Sequence, residues 1–96
     1  MEIYGNVTKE GTLSCMWKEV STAIQYNVKL FFSKNNGDFI EIDKKITDRN
    51  TKWIAFIGLI PNVNTQIKYK VIVEAEGKEG KILETAEYIS GTYSSY

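Results

Sequence analysis

Ninety-six residues, 43% of them hydrophobic and 25% charged, make one domain with an ordinary globular composition. Twelve cations offset twelve anions, and eleven of those cations are lysine, so neither a global field nor an arginine-rich surface is available to draw nucleic acid or an anionic membrane. Histidine is absent, which removes the commonest general base, the commonest metal ligand and the physiological pH switch together.

A weak first strand is predicted over about Ile3 to Thr8, closed by a Lys9-Glu10-Gly11 turn. Leu13, Cys15 and Trp17 alternate with Ser14 and Met16, which gives a second strand with its apolar set on one face. Lys18 to Ile24 reads as a loop. Tyr26, Val28, Leu30 and Phe32 alternate with Asn27, Lys29 and Phe31 as a third strand. Asn36-Gly37 after it tolerates the positive φ values of a type I′ hairpin turn. Phe39, Ile40 and Ile42 return, and Asp48-Arg49-Asn50 turns again. Trp53 to Ile57 is the fifth strand.

The sixth strand, Ile67 to Ala75, carries the clearest signal. Ile67, Tyr69, Val71, Val73 and Ala75 alternate with Lys68, Lys70, Ile72 and Glu74, so one face is apolar and the other mostly charged. Such a strand lies on a core and turns its back to water. Gly77-Lys78-Glu79-Gly80 is a loop, and Ile82 to Ile89 the last strand. Ser90 to Tyr96 is polar, so the domain is drawn as 1–90, with 91–96 as a tail or the start of a linker.

Seven strands of this kind predict an all-β antiparallel sandwich. The positions of Trp17 on the second strand, Tyr26-Asn27-Val28 on the third, Leu59-Ile60-Pro61 before the sixth, and Tyr69-Lys70-Val71-Ile72-Val73-Glu74-Ala75 on the sixth resemble the pattern of a fibronectin type III domain. The resemblance covers about Ile3 to Ile89 and implies a seven-stranded immunoglobulin-like sandwich. It implies a structural core of Trp17, Tyr26, Val28, Leu59, Tyr69 and Val71. Tyr69 lies eight residues beyond Pro61, further than the family places it, and Thr65 holds the expected position. Either the connection is longer here or Ile67 takes part of the corner, and the corner hydrogen bond is not implied.

No signal-peptide pattern opens the chain, and no apolar run approaches ~20 residues, so no membrane insertion is expected. Cys15 is the sole cysteine, which excludes an internal disulfide. It is in phase with Leu13 and Trp17, with no histidine to activate it, and reads as a buried inert thiol. Glu74, Glu76 and Glu79 form one acidic group, and Asp38, Glu41 and Asp43 another. Neither has the dense oxygen-ligand spacing of a calcium loop, and a solvated charged face is the expectation. Asn36-Gly37-Asp38 differs from the Arg-Gly-Asp adhesion tripeptide at its first position. Asn6-Val7-Thr8 matches the glycosylation sequon, which has meaning only in a eukaryotic secretory pathway.

In Trp53-Ile54-Ala55-Phe56-Ile57, the resemblance turns Ile54 and Phe56 to the core and Trp53, Ala55 and Ile57 outward. A large aromatic on a face expected to be wet marks a contact patch, with Phe31 as a further member. The alternative is a register one residue off, with Trp53 under a sandwich edge.

No catalytic, cofactor or metal residue emerges. The reading is a non-catalytic module, acting as a spacer or protein-interaction domain of a larger secreted, cell-surface or virion protein, bacterial or phage by its Lys, Ile and Asn richness. Its partner is a protein, a neighbouring domain or a second copy. The alternative is a carbohydrate-binding accessory module of a glycan-degrading enzyme, with Trp53, Phe31, Tyr93 and Tyr96 as stacking platforms.

Overall fold

The computed structural model describes residues 1–8, 10–59 and 66–94. They form strands β1 (Ile3–Val7), β2 (Leu13–Trp17), β3 (Gln25–Lys34), β4 (Ile40–Asp48), β5 (Trp53–Phe56), β6 (Gln66–Glu76), β7 (Ile82–Ile89) and the two-residue β8 (Tyr93–Ser94). All pairings are antiparallel. One sheet has the order β1-β2-β5; the other runs β4-β3-β6-β7, with β8 on the first residues of β6. The two sheets make an all-β sandwich. Lys9 and 60–65, including Ile60, Pro61 and Thr65, lie outside the described residues, as do Ser95 and Tyr96.

Period-two patterning decides which face each strand buries. In β6 every second residue from Ile67 to Ala75 is buried, and those between are half-buried or exposed. Leu13, Cys15 and Trp17 of β2 face them across the sandwich with Ile54 and Phe56 of β5, and Tyr26, Val28 and Leu30 of β3 complete the centre. Trp17 meets Tyr26 edge to face at 5.5 Å between ring centres, a geometry that adds ~0.5–1.5 kcal/mol beyond area burial. Leu59 is only half-buried and packs at the core margin.

Two loops differ from their sequence reading. The 18–24 loop carries core: Val20 and Ala23 are buried, and the Val20 N–H donates to Tyr26 Oη at 3.0 Å. The β3–β4 turn sits one residue earlier than Asn36-Gly37. Its central residues are Asn35 and Asn36, at φ 49° and 64°, and the Gly37 N–H closes on the Lys34 carbonyl at 2.9 Å. Asparagine tolerates this region, so the type I′ turn does not need glycine at its centre.

The end of the chain also departs from the tail reading. Ser90 is buried; its Oγ accepts the Tyr69 N–H at 2.9 Å and donates to the Gly91 carbonyl at 2.9 Å. Tyr93 and Ser94 then pair with Ile67 and Gln66. The open flank of early β6 offers unpaired backbone groups, and the segment after Ser90 satisfies them.

The Tyr69 hydroxyl donates to the Leu59 carbonyl at 3.2 Å. A link from β6 back to the chain before it is therefore made, although the spacing from Pro61 did not imply it.

Candidate functional site

The outer face of the β1-β2-β5 sheet carries a row of exposed large side chains, two of them aromatic. Register places Tyr4 opposite Met16 and Met16 opposite Trp53. All three are more exposed than the residues beside them in their strands and so point to water; they are 54%, 57% and 60% exposed. The next row is small and mostly polar: Asn6 opposite Ser14, and Ser14 opposite Ala55. A row of large side chains beside a row of small ones leaves a groove. Its volume is about 280 Å³, lined by Tyr4, Gly5, Asn6, Ser14, Cys15, Met16 and Trp53.

No lining residue is charged. A charged pair flanks the Tyr4 end. Tyr4 Oη donates to Glu2 Oε2 at 2.8 Å, and Lys18 Nζ lies 3.9 Å from the same carboxylate. That hydrogen bond and the Glu2 charge raise the Tyr4 phenol above its ordinary range. Cys15 contributes only its place on the groove floor. It is 3% exposed, and burial pushes its thiol up to about 12.

The structure divides the residues expected to form one contact patch. Trp53 and Ile57 are both exposed, Ala55 is half-buried between them, and Ile54 and Phe56 are inside. Phe31 belongs to β3 in the other sheet, so it does not join Trp53. There the Lys70 ammonium sits 4.9 Å from the Phe31 ring centre and 4.6 Å from that of Phe39, with Glu87 at 3.9 Å. That face is a charged ladder, with Lys29 and Glu74 paired at 3.4 Å. Of the expected stacking platforms, Tyr96 lies outside the described residues, and Tyr93 enters only through its backbone pairing with Ile67.

Tyr4 and Met16 were not singled out by the sequence reading. The signal was present: once Leu13, Cys15 and Trp17 face in, Met16 must face out, and an apolar side chain there breaks the polar-out rule. The sequon residue Asn6 is exposed on the same face. Among the described residues no group of three or more Asp, Glu or Cys side chains is arranged to hold a metal ion, and no helix is long and apolar enough to cross a membrane.

No family model, curated protein or solved structure matches this chain.

Proposed function

We propose that this chain is a non-catalytic immunoglobulin-like sandwich, similar to fibronectin type III domains, that serves as a spacer or protein-interaction module within a larger secreted, cell-surface or virion protein. The observation that carries this reading is the placement of its ends. The start of β1 lies beside Trp17, the pole where β2 ends, and the Met1 amine is 2.9 Å from Glu84 near the start of β7. Tyr93 and Ser94 lie at the far pole, beside the start of β6. The long axis is 45 Å against 23 and 18 Å across. A chain that enters one pole and leaves at the other transmits position along its length, which is what a spacer does. The strand order and the Tyr69–Leu59 hydrogen bond support the fibronectin type III part of the reading, since immunoglobulin-like sandwiches carry a tyrosine corner of this kind.

Small-angle scattering on a tandem of two copies, joined through residues 91–96, tests the spacer. In-line modules give a maximum dimension near the sum of two long axes. A tandem that folds back on itself to the width of a side-by-side pair overturns the proposal.

A further inference from the structure

We propose that the groove on the outer face of the β1-β2-β5 sheet is a binding site for a neutral oligosaccharide, with Tyr4 and Trp53 as stacking platforms and Asn6 and Ser14 as hydrogen-bonding groups. This goes beyond the spacer reading and does not depend on it, because the ends of the module and the face of this sheet are separate surfaces.

Size argues first. Three strands at about 4.8 Å and five residues at about 3.4 Å give a flat footprint on the order of 250 Å². A stable protein interface needs ~800 Å² from each partner. A second copy whose contact spread over the flank carrying Glu2 and Lys18, whose side chains are 67% and 78% exposed, would cover charge. Facing two such flanks together desolvates charges for little return. A groove of about 280 Å³ is at the small end of the range that holds small ligands.

Chemistry argues second. The lining has no charge, so nothing selects an ion or a charged peptide. It offers two aromatic rings, a thioether, an amide and a hydroxyl. A sugar ring is amphipathic in the matching sense: its C–H face packs on an aromatic ring, and its edge hydroxyls exchange hydrogen bonds with amide and hydroxyl groups. Tyr4 and Trp53 stand two strand spacings apart, about 9.5 Å, with Met16 between them. That places two platforms along one line across the strands, suited to a linear chain of several rings.

The test is a titration of the 96-residue protein with cellohexaose, xylohexaose, mannohexaose and chitohexaose, read by tryptophan fluorescence and calorimetry. Trp17 is buried, so the response belongs to Trp53. Saturable binding of at least one probe is expected, weakened ~tenfold or more by Trp53→Ala and by Tyr4→Ala. Lys70→Ala, on the opposite sheet, should bind as the parent does. Absence of binding by all four at millimolar concentration overturns the proposal, and so does binding that survives both aromatic substitutions. Concentration-dependent dimerisation abolished by Trp53→Ala, without saccharide binding, assigns the groove to a second copy instead.

Discussion

The Tyr88 ring lies against the backbone of Gly5, and a β-carbon built at Gly5 would stand 2.6 Å from its Cε2 atom. Tyr88 is half-buried and packs on the core margin, so this contact closes the seam between β1 of one sheet and β7 of the other. Gly5→Ala must displace the ring. We expect it to cost ~1–3 kcal/mol, as overpacking does. Chemical denaturation measures this, and the cost should shrink in a Tyr88→Ser background, because the obstructing ring is gone. Equal costs in both backgrounds would place the strain elsewhere.

How much was legible in the sequence follows from the reach of each signal. Alternation in Ile67 to Ala75 and in Leu13 to Trp17 is local, so β6, β2 and their inward faces could be read directly. The phase of Trp53 came from the resemblance, counted back from Leu59, and not from local alternation. What could not be read needed partners. Phe31 was grouped with Trp53 because both are outward aromatics, and only strand order puts them on opposite sheets. Tyr4 and Met16 join Trp53 only through register across three strands. The docking of 90–94 depends on unpaired groups of early β6, invisible in a polar segment read alone.

Trp17 and Tyr26 test the centre of the core. Trp17→Ala should cost ~3–5 kcal/mol, a large part of the ~5–15 kcal/mol of a domain this size. Trp17→Phe should cost less than cavity volume alone predicts. The indole Nε1 is buried and has no hydrogen-bond partner among the described residues, so phenylalanine removes an unsatisfied donor along with the bulk. Urea midpoints of the two variants check the order; a Phe variant as unstable as the Ala variant contradicts it.

Tyr69 and Leu59 test the link before β6. Tyr69→Phe deletes the hydroxyl that donates to the Leu59 carbonyl and leaves the ring in place. The expected loss is ~0.5–1.5 kcal/mol, with the strand content unchanged by circular dichroism. A neutral substitution would show that this hydrogen bond adds nothing net to the fold.

Cys15 gives a pH dependence with a definite sign. Burial raises its thiol from an ordinary 9.0 to about 12 in the folded chain. Between those values the unfolded chain releases the proton and the folded chain keeps it. Stability from this group is therefore fully present below pH 9 and lost as pH rises toward 12, with a slope of at most ~1.4 kcal/mol per pH unit. Cys15→Val should flatten that part of the stability profile relative to the parent. Thiol reagents at neutral pH should label the parent only after unfolding; rapid labelling of the native protein would place the thiol outside the core.

Lys45 tests how the chain keeps its exposed edge from pairing with another copy. β4 is the last strand of its sheet, nine residues long, and exposes Ile40, Ile42 and Ile46. A long apolar edge of this sort templates aggregation unless charge interrupts it. Asp43 and Lys45 pair with Leu30 and Val28, two core-facing residues, so both charges occupy the inward phase of β4. Lys45 also spans to β5: its Nζ is 3.3 Å from the Ala55 carbonyl oxygen and 4.9 Å from the Phe56 ring centre. It thereby covers the open side of the sandwich while keeping a charge on the edge. Lys45→Val would better match the phase and favour strand pairing, yet remove one of the charges that interrupt the apolar edge. We expect the variant to fold with stability within ~1 kcal/mol of the parent but to self-associate on sedimentation, increasingly at high salt where the remaining charges are screened. A variant that stays monomeric at the same concentrations would assign the protection of β4 to Asp43 and Lys44 instead.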